Sequence, residues 1–379
     1  MVAITNTISL TFLKDEIDDT LNRAENSLEA FVDDPQRTSD LEQTVEAFHQ
    51  VRGIFQMLEL PAAALMAEEM ELVGRELLDK GPSDAGTAAL SNAIVLLARY
   101  VEYVQLRNAT LPELLVGGIN ELRRATGKSL VPESHFFSVD LSRQRFPQAE
   151  ASRHDKSEIP RLCRRLRHMF QVGLLGVIRE ENASTNLKLM SRSLERIDRL
   201  VGPVGISRWL WIARGTVEAL RRDGMHLTQG RKMLLSRIDR QLKQLVYDGE
   251  DALEAHVPLL LFKEGLYLIS LSDCTDGVIG EIKQVFDLRN PLNDQTLQDE
   301  TAYMAGGGGS VVRTVAVGLR EELSDVQNTL EMAAQGAPDA SFEEVAETLG
   351  RAANTLVMVG PPREAQSVKE QANQVRHWK

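Results

Sequence analysis

The chain has 379 residues, of which 43% are hydrophobic and 26% charged, and this composition predicts a soluble globular protein of two or three domains. It excludes disordered, collagenous and disulfide-scaffold chains. Aromatic residues make up only 5%, with 13 prolines, which favours helices over a β-sandwich. The formal charge of −12 repels nucleic acids and anionic lipids, so we expect no nucleic-acid partner.

The two cysteines, Cys163 and Cys274, have no second cysteine or histidine at metal-binding spacing. They therefore predict reduced thiols, without a disulfide framework or a zinc site. The N-terminal segment reaches its first acidic residue at Asp15 and lacks the basic-then-apolar plan of a signal peptide. The longest apolar stretches of the chain fall far short of the roughly 20 residues that span a bilayer. We expect a cytoplasmic protein without a membrane span.

Four amphipathic helices are predicted in residues 1–110. The first keeps apolar residues at spacings of three and four until Asp33, and the second carries an apolar stripe over positions 41–58. Pro61 opens the third helix, and the fourth covers positions 84–107. Short loops between such helices predict an antiparallel four-helix bundle, and hence an all-α fold.

A second helical region is predicted over residues 111–305, with helices at 159–181, 186–200 and 207–222 and no catalytic signature. Four glycines and a serine follow at 306–310. This run resembles an engineered linker and predicts a flexible hinge between domains.

An internal repeat follows the glycine run. The segment LKDEIDD of the first helix recurs as LREELSD, and EAFHQVRGIFQMLE of the second recurs as AETLGRAANTLVMVG. In that register Gly350 stands opposite His49, so the copy keeps the apolar stripe and loses the polar one. We expect residues 311–379 to form a degenerate, incomplete copy of the bundle. Because the fourth helix is missing, the chain is predicted to be part of a longer protein.

The polar stripe of the second helix carries the chemistry. His49 lies opposite the apolar stripe and is predicted to be exposed at mid-helix, with Arg52 one turn later and Gly53 beside it. A neutral imidazole nitrogen can act as a nucleophile, and a nearby cation can offset phosphoryl charge. A glycine leaves room for a partner to approach. The three residues therefore suit phosphoryl transfer.

The sequence HQVRG at 49–53 resembles the H-x-x-[KR]-G core of histidine phosphotransfer (HPt) domains, which are four-helix bundles. The wider run 48–71 is similar to the first HPt domain of CheA-type hybrid kinases of the type IV pilus (twitching motility) chemosensory system. The resemblance implies that His49 is the phosphoacceptor, with Arg52 and Gly53 as supporting positions. It departs from many HPt domains at Glu59, where they have a glycine.

The main hypothesis is a two-component phosphorelay. His49 would accept a phosphoryl group from the catalytic domain of a histidine kinase and pass it to an aspartate of a response-regulator receiver domain, among other pilus chemosensory proteins. The sequence contains no P-loop or glycine-rich nucleotide lid, so we expect no kinase domain, cofactor or metal in this chain. The competing hypothesis is a FimL-like scaffold of the same pilus system, which uses HPt-like bundles for partner binding without phosphotransfer.

Three further features receive structural explanations. A basic run at 161–168 has an apolar side, which favours a solvated helix face over a nucleic-acid site or a dock for an acidic partner. Trp209 and Trp211 are predicted to lie partly in the core. The polar residues at 273–276 are interpreted as a loop or helix cap, since no further metal-ligating residues accompany them.

Overall fold

The structure is a computed structural model. It describes residues 7–143, 158–202, 206–247, 257–289, 292–305, 342–359 and 362–376, with isolated helical positions between 319 and 330. The regular elements in these segments are helices, and no strand occurs among them, so the predicted all-α class is confirmed. The predicted hinge at 306–310 lies outside the described residues. The chain divides into two compact units, Met1–Ala302 and Tyr303–Lys379.

The first four helices form the predicted bundle. They are α1 Thr7–Asp33, α2 Thr38–Met57, α3 Pro61–Lys80 and α4 Asp84–Arg107. Each packs against the next along the chain, and α1 also packs against α4, which closes the bundle. Phe31, Phe48 and Phe55 are fully buried between the helices, as the predicted apolar stripes require.

Local sequence signals set the ends of α3 and α4. Pro61 occupies the first turn of α3, where its missing N–H costs no hydrogen bond. Gly81 ends α3 with φ of 91°, a conformation that favours glycine. The Ser83 side chain caps α4 by accepting a hydrogen bond from the Gly86 N–H, and Asn108 ends the helix in the left-handed region.

The chain after α4 stays on this bundle. A 3-10 turn at Pro112–Leu115 leads into α5, Val116–Ala125, and both pack on α3 and α4 through buried Leu115, Ile119 and Leu122. The bundle therefore includes residues beyond position 110. The division into 1–110, 111–305 and 311–379 stays a prediction.

Seven helices of the described residues follow. They are α6 Ile159–Ile178, α7 Ala183–Val201, α8 Ser207–Arg222, α9 Gln229–Tyr247, α10 Leu259–Ser270, α11 Gly277–Phe286 and α12 Asp294–Ala305. Helix α6 packs between α7 and α9, and α8 contacts α7, α10 and α11. Trp209 and Trp211 lie in the core of this region, so the prediction that they are core residues is confirmed.

A connector at 126–143 leaves the first bundle through polar contacts. The side chain of Asn120 donates to the Val131 carbonyl at 2.9 Å and accepts from the Val131 N–H at 2.8 Å. Glu69, buried on α3, accepts from Arg123 and from Lys128. These bonds fix the start of the connector to α3 and α5.

The same connector is held by the later helices. Glu133 accepts hydrogen bonds from Thr228 at 2.7 Å and from Arg231 of α9 at 3.1 Å. The Arg231 guanidinium is 5% exposed and also pairs with Asp294 of α12 at 2.5 Å. A buried guanidinium needs such partners to offset its lost hydration, so Arg231 joins the connector, α9 and α12.

The second unit contains two described helices, α13 Phe342–Val359 and α14 Pro362–Val375, which pack against each other. Their small core includes Val345, Leu349 and Ala372. Gly350, the residue that the repeat places opposite His49, lies within α13. The repeat itself stays a prediction.

Candidate functional site

His49 lies in the middle of α2, on the side away from the bundle core. Its neighbours Phe48 and Val51 are fully buried, whereas the His49 side chain is 52% exposed. The period of the apolar residues sets this orientation, because positions three and four apart share one helix face. The predicted exposure of His49 is confirmed.

A buried carboxylate from α3 organises the residues around His49. The Glu71 side chain is only 3% exposed, and its Oε2 lies 3.0 Å from Arg52 Nη1 and 3.4 Å from His49 Nδ1. Its other oxygen accepts from Arg75, one turn further along α3. A carboxylate at this depth requires compensating charge, which the guanidinium groups of Arg52 and Arg75 supply, and the His49 ring adds a polar contact. His49, Arg52 and Arg75 are therefore grouped around one buried carboxylate.

The sequence pattern that points to His49 does not point to Glu71. Spacing within α2 could group His49, Arg52 and Gly53, but it could not reveal a partner on another helix. A signal was present in α3, since Glu71 and Arg75 stand four residues apart and predict an ion pair along the helix.

Arg52 joins His49 and Glu71. Its Nη2 lies 3.1 Å from His49 Nδ1, and its side chain is 25% exposed. The guanidinium can donate to Nδ1 when that nitrogen carries no proton. Because Arg52 already pairs with Glu71, its charge is balanced within the protein. The cation that the relay hypothesis assigned to an incoming phosphoryl group is therefore occupied.

Gly53 has no packing role inside the bundle. A Cβ placed on it would meet no other atom within 4 Å. Glycine in a helix interior costs roughly 0.5–1 kcal/mol relative to alanine, so the fold alone gives no reason for it. It leaves a flat, open surface one turn after His49. The structure thus brings His49, Arg52 and Gly53 together on one exposed face.

The other candidate sites are possible metal ligands, Cys163 and the polar residues at 273–276. Among the described segments, no group of three His, Cys, Asp or Glu side chains could hold a metal ion. Cys163 is buried, which raises the pKa of its thiol to about 12, and Asp276 pairs with Arg222 at the start of α11. Among the described residues, the helices are too short or too polar to cross a bilayer.

A cavity of about 50 Å³ lies where the connector meets α9 and α10. Arg237 and Glu264 line the cavity and pair with each other, and Tyr267 of α10 also lines it. Burial raises the pKa of Glu264, an effect that its pairing with Arg237 opposes, and burial also raises the pKa of Tyr267. Arg237 and Glu264 balance each other's charge, whereas Arg237 Nε and the Tyr267 hydroxyl have no hydrogen-bond partner among the described residues.

Comparison with known proteins identifies the family. The model of the FimL scaffold protein second domain matches residues 155–299, and that of the FimL C-terminal domain matches residues 9–119. Scaffold protein FimL of Pseudomonas aeruginosa is 38% identical over 383 residues, covering 99% of this chain and 67% of that protein. The chain belongs to the FimL family. No solved structure matches it significantly.

Membership of the FimL family corrects the predicted function. The relative that aligns along the whole chain is a scaffold protein, so the main hypothesis, phosphoryl transfer through His49, is wrong. The FimL-like alternative is the better supported one. The motif misled because an exposed histidine, an arginine and a glycine also occur together on a bundle surface whose arginine pairs internally. That His49, Arg52 and Gly53 form a functional site stays a prediction.

Proposed function

We propose that this chain is a non-catalytic scaffold of a type IV pilus chemosensory system and acts in the cytoplasm. The observation that carries the proposal is the 38% identity to a protein named as a scaffold, along 99% of the chain. The pilus setting rests on the resemblance of the run 48–71 to proteins of that system. A scaffold needs stable surfaces that bind other proteins, and the first bundle offers one.

The docking surface of this bundle is the exposed face around His49, Arg52 and Gly53. Its basic side chains are already oriented by Glu71, so little rotamer freedom is lost when a partner binds. Gly53 lets a partner backbone approach α2 closely. A receiver domain is the partner we assign to this face, and it binds there without phosphoryl transfer. The catalytic domain of a histidine kinase is the second candidate.

The test uses a side chain that blocks the surface without disturbing the bundle. Gly53→Arg places a long side chain in open space on α2. Binding to receiver domains of the pilus chemosensory system is measured by fluorescence anisotropy. We expect Gly53→Arg to weaken binding by about tenfold or more, because the added side chain keeps the partner away from the centre of the interface. His49→Gln removes one contact and keeps the shape, so we expect a change of about twofold or less.

Gly117→Arg is the matched control. Gly117 lies exposed on α5 of the same bundle, also has open space around its Cβ, and receives the same added charge. This variant is expected to bind like the wild type. If Gly53→Arg binds as tightly as Gly117→Arg, with helical content equal by circular dichroism, the His49 face is not the docking surface.

A further inference from the structure

The charge of the chain is separated between its helical regions. Residues 158–247 contain eighteen Arg or Lys and eight Asp or Glu, a net charge of +10 in a chain of −12. Residues 7–125 contain ten Arg or Lys and twenty-one Asp or Glu, a net charge of −11. A strong local excess of one sign attracts partners of the opposite sign and speeds their association.

Helix α6 carries part of the positive charge on its exposed side. Arg161, Arg164 and Arg165 are exposed in its first half, opposite the buried side chains of Cys163 and Phe170. Because the core-facing residues fix the rotation of the helix, these arginines project away from the core.

Helix α7 presents a second basic stripe. Arg192, Arg196 and Arg199 are exposed, while Leu194 and Ile197 between them are buried. The turn between α6 and α7 is short and the two helices pack together, so they run antiparallel. The first half of α6 therefore lies beside the second half of α7. We call these six exposed arginines of α6 and α7 the basic face.

Few carboxylates neutralise the basic face. Arg161 lies 3.9 Å from Glu158, and Arg199 pairs with Glu195 at 2.7 Å. In the part of the chain that the structure describes, none of the other four arginines of the face has an ion pair. Exposed pairs of this kind contribute little stability in any case. The positive charge is therefore available to a partner.

Apolar side chains continue the exposed side of α6. Val172, Leu175 and Ile178 are 50%, 48% and 46% exposed, at spacings of three residues that keep them close on one face. Exposed apolar residues that cluster beside charged ones are typical of a protein interface, with the apolar part as its core and the charges as its rim.

We propose that the basic face and these three apolar residues bind an acidic, amphipathic segment of a partner protein. Carboxylates of the segment would meet the arginines, and its apolar side chains would cover Val172, Leu175 and Ile178. Charge complementarity selects an acidic partner. The apolar residues favour a protein over nucleic acid, because single-stranded recognition uses aromatic stacking and none of the three is aromatic. The net charge of −11 on residues 7–125 repels a polyanion larger than the basic face, such as long nucleic acid or an anionic lipid surface, more than it repels a short acidic segment. The surface is distinct from the His49 face.

The experiment titrates the full chain with a fluorescein-labelled synthetic peptide that repeats Leu-Glu-Glu-Leu-Leu-Glu. Arg164→Glu with Arg196→Glu reverses two unpaired charges, and we expect binding to weaken roughly tenfold or more, with a steep dependence on salt. Leu175→Gln with Ile178→Gln removes apolar contact without changing charge and is expected to weaken binding at every salt concentration.

Arg124→Glu with Arg289→Glu is the matched control, since it changes the net charge equally at exposed positions outside the basic face. This variant is expected to bind the peptide within about twofold of the wild type. Equal loss in the control would overturn the proposal by showing that only net charge matters. So would binding that neither pair of face substitutions changes. Tighter binding of duplex RNA or of phosphatidylglycerol vesicles than of the peptide would also overturn it, as would a dimer that the Arg164 and Arg196 substitutions dissociate.

Discussion

At the scale of single residues, one buried carboxylate determines the character of the exposed surface on α2 and α3. Glu71 is held by His49, Arg52 and Arg75, and its burial makes these partners necessary. The side chains that look like a reactive site are therefore also structural. This double role explains how a surface that resembles a phosphoacceptor site can occur in a member of the FimL family.

Replacing Gly53 tests whether the bundle needs a glycine at this position for its stability. Gly53→Ala is expected to raise the free energy of unfolding by roughly 0.5–1 kcal/mol, because it reduces the freedom of the unfolded chain and meets no atom in the fold. Chemical denaturation followed by circular dichroism measures the change. A loss of stability would show that Gly53 is needed by the bundle itself.

Gly74 provides the contrasting control in the same bundle. A Cβ on Gly74 would lie 2.6 Å from Val45 Cγ2, so α2 and α3 approach closely at that point. Gly74→Ala is therefore expected to lower the free energy of unfolding by about 1–3 kcal/mol.

The sequence predicts the positions of site residues within one helix but not the contacts between helices. The helical period placed His49 outside and Phe48 inside, because both lie on one helix and their relation is local. Glu71 lies on the next helix, and only the packing of α3 on α2 brings it to Arg52. Contacts between helices depend on their relative rotation, which spacing along one helix does not determine.

At the scale of elements, the connector at 126–143 depends on Arg231. Arg231→Met would leave the buried Asp294 carboxylate without its cationic partner and remove a bond to Glu133, so we expect a loss of about 3–5 kcal/mol in unfolding free energy. Urea unfolding measures the loss, and limited proteolysis should show faster cleavage within the connector.

The control for Arg231 is an exposed ion pair. Arg289 is 87% exposed and pairs with Asp287 at 2.7 Å. Arg289→Met is expected to change stability by less than about 0.5 kcal/mol, because water replaces such a pair at little cost. Equal effects of the two substitutions would mean that the Arg231 contacts do not hold the connector.

Glu113 introduces a pH dependence at the start of α5. Burial raises the pKa of Glu113, an effect that its backbone hydrogen bond partly opposes. The folded state therefore binds the proton more tightly than the unfolded state, and the stabilisation present at low pH is lost as pH rises through the folded pKa. Glu113→Gln is expected to raise the urea concentration at the midpoint of unfolding at about pH 8 and to leave it unchanged near pH 4.

Glu121, exposed on α5, is the control for this pH effect. Glu121→Gln should give the same small difference at both pH values. If Glu113→Gln behaves like Glu121→Gln, the burial of Glu113 does not influence folding.

The helices were more predictable than their connections. Pro61 and Gly81 signalled the ends of α3 directly, because their backbone restrictions act locally. The connector carries no such signal. Its order arises from Arg231, whose partners Glu133 and Asp294 lie far away along the chain. The basic run of α6 is visible in the sequence. Only the antiparallel packing of α6 and α7 places the exposed arginines of α7 beside it.

At the scale of the whole molecule, the two proposed binding surfaces lie on different helical regions and differ in how their charges are paired. The His49 face belongs to an acidic bundle and is oriented by an internal carboxylate. The basic face belongs to a positively charged helical region, and among the described residues only two of its six arginines lie near a carboxylate. Because the two surfaces lie on different helices, one chain would be able to bind two partners without competition between them.

We propose that this FimL-family chain binds partners and does not carry phosphate. Incubation of the wild type and His49→Gln with phosphoramidate, followed by intact mass measurement, tests it most directly, with an active HPt domain as the positive control. We expect no phosphoryl group on either form of the chain while the control is phosphorylated. An acid-labile phosphoryl group on the wild type that is absent from His49→Gln would contradict the account.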